Sequence, residues 1–458
     1  MNNATAKEQR LIVGMGASGL SLASYWQHSG ATPCNLTAVD DRTNPPKQQE
    51  FKQLPQIDLH VGENFRHWQP ERYAQYQRIA LSPGVAPTDI NTTAEKLTND
   101  ADCFSRAWRQ WAPATSQLWA VTGTNGKSTV TALAAHLANS AGITAEAVGN
   151  IGEPMLAALL RWQHHGFPQV AVVELSSFQL ELAAQFYSDA AVVLNVSDDH
   201  LDRHGSLQHY AAIKYSIYAA SKRIVVNKLM TAPAIAASAA ATSYCMSATA
   251  PNADVDWTVQ AGWICYQGTP RYRLAAMSPA CQNYVELVLA TLALSESLPL
   301  STAAITAGLA SFAGLAHRQQ QVGQHAGVCY VDDSKATNVE AALFALLQSK
   351  QRVIWLGGGI GKGQDFSPLA QAATQMQAAI VFGADAAAIR NVLAATEVPC
   401  YVVENMEQAV QQAQQLATAG DTVLLSPACS SLDMFANYKA RGVAFAHAVA
   451  AQCGEGGQ

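Results

Sequence analysis

The chain has 458 residues, 49% of them hydrophobic and 14% charged, and carries a net charge of −6. That balance excludes a disordered chain and leaves no basic surplus for a nucleic-acid backbone. Nine cysteines without a CxxC pair, no signal-peptide core and no 18-residue apolar run leave a cytoplasmic enzyme without disulfides, zinc or membrane insertion as the expectation, built from roughly two to four domains.

The first predicted strand, Leu11-Ile-Val13, runs into Gly14-Met-Gly-Ala-Ser-Gly19 and a helical stretch to about Gln27. A second strand ends at Val39-Asp40-Asp41-Arg42, completing a strand–glycine turn–helix–strand unit of Rossmann type. GxGxxG with acidic residues some twenty positions on usually marks a dinucleotide site. Here Arg42 directly follows the aspartates, and the segment ends near residue 104, short for a full dinucleotide fold. A third loop, Leu81-Ser82-Pro83-Gly84, closes another apolar run. Three such loops at strand ends suit a nucleotide diphosphate lying across the sheet edge; a purely structural Rossmann half is the competing reading.

The middle segment, 105–314, carries Gly123-Thr124-Asn125-Gly126-Lys127-Ser128-Thr129 between the apolar run Leu118–Val121 and a helical stretch through Leu137. Strand, glycine turn and helix point backbone N–H groups and a helix N-terminus at a phosphate. Lys127 would reach the terminal phosphates and the Ser128 hydroxyl would sit on Mg²⁺. Val121 stands where the general pattern has its first glycine, so the loop is a shortened variant. Two more apolar strands end in chemistry, Val170–Val173 at Glu174 and Ala190–Leu194 at Asn195, followed by Ser197-Asp-Asp199-His200. Continuous apolar runs read as parallel strands buried on both faces, whose ligands bind beyond the carboxyl ends. Glu174, Asp199 and His200 would lie there, and a carboxylate, a hydroxyl and a histidine can complete a magnesium site. The Ser-, Ala- and Thr-rich stretch from about 231 to 256 reads as a variable excursion.

The last segment, 315–458, begins near Gly314-Leu-Ala-His-Arg318. Val328–Val331 leads into Asp332-Asp333-Ser-Lys335-Ala-Thr-Asn338 and a helical run over 339–348. Further strands are predicted at 352–356, 379–382, 400–403 and 421–425, the first entering Gly357-Gly-Gly-Ile-Gly-Lys362 and the last Ser426-Pro-Ala-Cys-Ser-Ser431-Leu-Asp433. Strands alternating with helices give a second Rossmann-like sheet without its own phosphate loop. Its polar loops look placed to finish a site built on the middle segment.

GTNGKST, ELSSFQLE, LNVSDDHLDRH, GLAHR, DDSKATN, GGGIGKGQDFSPL and LSPACSSLDMF, in that order along the whole chain, resemble the Mur ligase family, and within it the members that add glutamate. The resemblance implies an α/β protein of three domains: a Rossmann-like UDP-substrate domain over 1–104, a central P-loop ATPase-type sheet binding ATP over 105–314, and a Rossmann-like glutamate domain over 315–458. It implies ATP-dependent, Mg²⁺-dependent joining of D-glutamate to UDP-N-acetylmuramoyl-L-alanine through an acyl phosphate, by a monomer. By the same resemblance Ser128 and Glu174 hold one magnesium and His200 a second, and Lys214 is the carbamylated lysine of the metal site. Ser18, Asp41, Arg42, Ser82, Gly84 and Asn150 face the UDP substrate. Asn283, Arg318, Asp333 and Lys335 meet ATP, Lys362, Ser431, Leu432 and Tyr438 form the glutamate pocket, and Asp199 partners the incoming amine. The sequence departs from the family pattern twice. Its His-Asn-x-x-Asn run reads Gln282-Asn-Tyr-Val-Glu286, and Ile360 replaces a common aspartate before Lys362.

Overall fold

The computed structural model describes residues 7–28, 34–230, 240–246 and 255–454. Its contacts divide the chain into two compact units: Met1–Val196 with Arg203–Phe312, and Ser197–Asp202 with Ala313–Gln458.

The first unit holds two sheets. β1 (Glu8–Val13), β2 (Cys34–Asp40), β3 (Ile57–Val61), β4 (Arg78–Leu81) and β5 (Leu97–Thr98) pair in the order β3-β2-β1-β4-β5. All four pairings are parallel, so Gly14, Asp40 and Ser82 come to one edge at the carboxyl ends of β1, β2 and β4. The helix Ala17–His28 packs closely on this sheet because Gly19 lacks a side chain: a Cβ there would fall 2.1 Å from the Gly14 carbonyl oxygen.

The second sheet contains β6 (Gln117–Thr122), β7 (Ala145–Gly149), β8 (Val170–Glu174), β9 (Ala190–Val193), β10 (Arg223–Asn227), β11 (Ala240–Cys245), β12 (Trp257–Gln260), β13 (Trp263–Tyr266) and β14 (Thr269–Arg273). They pair in the order β14-β13-β12-β11-β10-β9-β6-β8-β7, parallel from β7 to β12 and antiparallel at β13 and β14. Every residue of β8 and β9 is buried, as their unbroken apolar sequence requires for strands covered on both faces.

One expectation is corrected here. The stretch read as a variable excursion contains β11, an interior strand with Thr242–Cys245 buried. It looks polar in sequence because its buried hydroxyls are satisfied by remote carboxylates, Thr242 by Glu296 at 2.9 Å and Ser243 by Asp256 at 2.9 Å. Residues 231–239 and 247–254 of that stretch lie outside the described residues.

The second unit has one sheet of β15 (Gln320–His325), β16 (Val328–Asp332), β17 (Val353–Gly358), β18 (Met376–Phe382), β19 (Cys400–Val402) and β20 (Thr422–Leu425). The order is β15-β16-β20-β17-β18-β19, antiparallel only between β15 and β16. The loops after β16, β17 and β20 therefore leave the same edge. No helix among the described residues is long and apolar enough to cross a membrane.

Candidate functional site

In the first unit, the chain leaves β6 through Gly123 and Gly126, both at positive φ, and Gly126 caps the helix Lys127–Ser140. The φ of 84 at Gly126 favours glycine, and a Cβ there would also press on the end of the Leu287 side chain, 2.6 Å from Cδ2. Asn195, at the end of the neighbouring strand, clamps the loop: its carbonyl accepts from Thr124 N at 3.0 Å, its Oδ1 from Asn125 N at 2.8 Å, and its Nδ2 donates to Asn125 O at 3.1 Å. Lys127 Nζ donates to the carbonyls of Gly123 and Thr124 at 2.9 and 2.8 Å. Its ammonium is thus held at the loop where a terminal phosphate would be received.

Lys214 reaches the same loop, and Glu174 pairs in register with Val121 near the strand end that opens it. Lys214 is 1% exposed, donates from Nζ to the Gly123 carbonyl at 2.8 Å and lies 4.4 Å from the centre of the Tyr210 ring. Glu174 is 2% exposed; its Oε1 accepts from Asn150 Nδ2 at 2.9 Å, and its backbone carbonyl accepts from Asn150 N at 3.0 Å. Glu174 Oε2 is buried with no hydrogen-bond partner. A buried carboxylate oxygen left in that state is costly unless a cation takes it up. With the buried Ser128 hydroxyl it fits a hard, oxygen-preferring cation such as Mg²⁺. Asn150, expected on the UDP substrate, is tied to Glu174 through both its side chain and its backbone.

The residues that depart from the His-Asn-x-x-Asn pattern have partners inside the first unit. Gln282 Nε2 donates to the Met277 carbonyl at 2.7 Å, and Glu286 Oε1 accepts from Asn227 Nδ2 at 2.7 Å. Asn283 is exposed at the end of the helix Pro279–Asn283.

A cavity of about 420 Å³ opens at the carboxyl ends of β1, β2 and β4. Ser18, Asp41, Arg42, Ser82 and Gly84, all expected at the UDP substrate, line it. Two further residues there were not singled out from the sequence. Asp40, 1% exposed, accepts from Met15 N at 2.7 Å and takes a two-pronged bond from Arg42 at 2.8 and 2.7 Å. Burial pushes its carboxyl up, but the Arg42 and backbone N–H bonds outweigh that and hold it below the usual carboxylate range. Arg66 bonds Asp41 and, through Nε at 3.1 Å, Asp89. For Asp40 the available signal was an acidic residue closing a strand two positions before Arg42, whereas Arg66, 25 positions beyond Asp41, left no local mark.

Asp199 and His200 belong to the second unit. His200 has φ 54, its N–H donates to Asp199 Oδ1 at 3.0 Å, and its Nε2 lies 3.7 Å from Asp199 Oδ2. A non-glycine residue in the left-handed region costs about 1 kcal/mol or more and is typical of functional loops. Lys362, His317 and Ala428 share that feature, all in the loops that carry the C-terminal motifs.

Those loops are fastened to one another. Ile360 and Ser430 exchange two backbone hydrogen bonds of 2.9 Å, joining the loop of exposed Lys362 to that of buried Ser431. Gly361 N donates to Asp385 Oδ2 at 2.7 Å, so backbone contacts and Asp385 fix this loop despite the Ile360 substitution. Leu432 is 66% exposed. Lys335 Nζ lies 4.5 Å from the centre of the Tyr438 ring, which also meets His317 edge-on at 6.1 Å. Lys335 and Tyr438, expected at ATP and at glutamate respectively, thus occupy one corner. Asp333 is buried and accepts from Ser426 Oγ at 2.9 Å and Gln319 N at 3.2 Å. Burial pushes its carboxyl up to about 7, against those bonds and the Arg318 charge.

Arg441 was missed by sequence reading. It is 0% exposed and donates to Ser334 Oγ at 2.9 Å, Ser334 O at 2.8 Å, Cys429 O at 3.0 Å and Gly358 O at 3.4 Å. One guanidinium thus holds the loops after β16, β17 and β20 together.

Three family models match: "Mur ligase MurD-like, N-terminal domain" over residues 8–99, "Mur ligase middle domain" over 121–267 and "Mur ligase, glutamate ligase domain" over 317–429. The UDP-N-acetylmuramoylalanine–D-glutamate ligase of Dechloromonas aromatica is 39% identical over 445 residues, 96% of this chain and 97% of the relative. That of Pseudomonas aeruginosa is 35% identical over 456 residues, 96% and 97% of the two chains. The crystal structure of UDP-N-acetylmuramate-alanine ligase MurC from Thermotoga maritima has a TM-score of 0.62 at 16% identity, covering 97% of this chain and 99% of that one, a likeness of fold. With relatives this similar along almost its entire length, the chain belongs to the Mur ligase family.

Proposed function

We propose that the chain is an ATP-dependent ligase that joins D-glutamate to UDP-N-acetylmuramoyl-L-alanine, forming ADP and phosphate, in peptidoglycan precursor synthesis. The relatives that carry this activity in their names span 96% of the chain. Residues 1–104 would bind the UDP substrate, 105–314 ATP and 315–458 glutamate.

The observation that carries the chemistry is the buried, unpartnered Glu174 Oε2 near a phosphate loop holding Lys127 and Ser128. A carboxylate is a poor electrophile, so the alanine carboxylate of the UDP substrate takes the γ-phosphoryl group of ATP, releasing ADP. The glutamate amine then attacks the acyl phosphate, loses a proton, and the tetrahedral adduct expels phosphate. Lys127 balances charge on the transferred phosphoryl group, as preorganised cations do in such reactions. Ser128, Glu174, His200 and Lys214, the last as its carbamate, would hold Mg²⁺. When bound, the metal neutralises charge on the phosphates. Carbamylation would turn the buried Lys214 amine into an oxygen donor suited to that ion. Asp40 orients Arg42 toward the UDP moiety, and Asp199 stands ready for the amine proton. Lys362 would pair with a glutamate carboxylate and Ser431 donate to it.

The test measures ADP and phosphate release with each substrate omitted in turn, and product formation with D- against L-glutamate. Release that depends on the UDP-sugar, and amide formed only with D-glutamate, is expected. Turnover indifferent to the UDP-sugar would overturn the reading.

A further inference from the structure

The short helix Ser177–Leu180, which follows Glu174 in the chain, reaches the nucleotide cavity by two polar arms, both inside the first unit. The first is Arg203. Its guanidinium makes a two-pronged bond to Glu181, Nε to Oε1 at 3.2 Å and Nη2 to Oε2 at 2.6 Å, and lies 5.1 Å from the centre of the Phe178 ring. The same Nη2 donates to the Val85 carbonyl at 3.0 Å. Val85 lines the nucleotide cavity, and its own N–H closes a turn onto the Ser82 carbonyl at 2.9 Å.

The second arm is Asp100, 1% exposed. Its Oδ2 accepts from Gln179 Nε2 at 3.0 Å, its Oδ1 from Ala101 N at 3.0 Å, and its carboxyl faces the hydroxyl of Ser18, another lining residue of that cavity. Asn99 Nδ2 grips the Gln179 carbonyl at 2.7 Å from beside it.

An exposed ion pair would contribute little. Arg203 and Glu181 are different, with side chains only 16% and 12% exposed and a ring beside the guanidinium. Both arms end on one element, so a ligand that orders the Ser18 and Val85 loops also orders the segment after Glu174. Arg203 moreover follows His200 by three residues in the chain. Two sites are coupled when they bias a shared element, and the coupling is reciprocal.

We infer that Arg203 and Asp100 are positioning residues that couple occupancy of the nucleotide cavity to nucleotide binding at the phosphate loop. The inference rests on reading that cavity as the UDP-sugar site and the loop as the ATP site.

Calorimetry on the full chain tests it, with UDP-N-acetylmuramoyl-L-alanine and the non-hydrolysable analogue AMP-PNP, each titrated alone and in the presence of the other with Mg²⁺. In the wild-type protein each ligand should raise the affinity of the other at least about fivefold, the lower end of ordinary coupling. In Arg203→Gln and in Asp100→Asn the factor should fall to within about twofold of unity, with AMP-PNP affinity in the absence of the UDP-sugar unchanged. Arg203→Lys, which keeps the charge but not the fork, should fall between. Thermal melts accompany each variant. Coupling retained in the variants that fold, or unfolding of both Arg203→Gln and Asp100→Asn, would overturn the inference. A wild-type protein that binds both ligands and ligates glutamate without coupling would overturn it as well and leave the ligase reading standing. Failure to bind the UDP-sugar at all would instead remove that reading.

Discussion

Replacing Arg441 by methionine keeps much of the side chain's length and removes its five donors. Four acceptors from three loops then lose their partner, two on Ser334 and one each on Cys429 and Gly358. Burial already brings the Arg441 pKa down to about 10, with Cys429, Asp433 and Asp332 opposing, so the charge is held there at a cost that its hydrogen bonds offset. A buried acceptor left without its donor costs about 1–3 kcal/mol, so losing several at once should cost roughly 3–5 kcal/mol. For a urea m-value near 3 kcal/mol per molar, the unfolding transition of the C-terminal unit should move down by roughly 1–2 M. Because Ser334 lies between Asp333 and Lys335, and Cys429 two residues before Ser431, the KM values for ATP and for D-glutamate should rise together. That for the UDP substrate should move little. Arg441→Lys should recover only part of the loss, since a point charge cannot span the loops. Urea titration followed by steady-state kinetics with each substrate varied checks both effects. An Arg441→Met protein with the wild-type midpoint and wild-type KM values would refute the reasoning.

Lys362→Ala removes a charge-assisted partner of a substrate carboxylate, about 1.5–3 kcal/mol, so the KM for glutamate should rise about ten- to a hundredfold while that for the UDP substrate holds, as substrate titrations will show. Lys214→Ala should be nearly inactive and partly rescued by added short carboxylic acids; full activity without rescue in a phosphate-release assay would make this lysine merely structural. Asp333, raised from 3.8 to about 7 in the folded protein, favours the protonated folded state, so its contribution to stability is complete below about pH 4 and is lost as pH rises toward 7. Asp333→Asn should flatten that part of the profile, which melting temperatures at pH 5 and pH 8 for both proteins will measure.

Local chemistry made the phosphate loop and the strands legible. The turn at Gly123 and Gly126, the helix it opens, and the apolar runs of β6, β8 and β9 are dictated by residues within a few positions of one another. So was the edge of the first sheet, because parallel pairing brings the loops bearing Ser18, Asp41, Arg42, Ser82 and Gly84 together at the carboxyl ends of their strands. Tertiary structure alone decided which side chains hold those loops in place. Asn195 reaches Asn125 across 70 positions, Gln179 reaches Asp100 across 79, and Arg441 reaches Ser334 across 107. Such pairings leave no periodic or local mark, because a buried donor finds whichever acceptor the packed core presents. β11 was hidden for the same reason: its hydroxyls look solvent-seeking until Glu296 and Asp256 arrive to satisfy them. Sequence thus determined the apolar central strands, the turns that follow them and the chemistry available at their ends, while packing determined β11, the orphaned oxygen of Glu174, the corner shared by Lys335 and Tyr438, and the arginines that fix the loops.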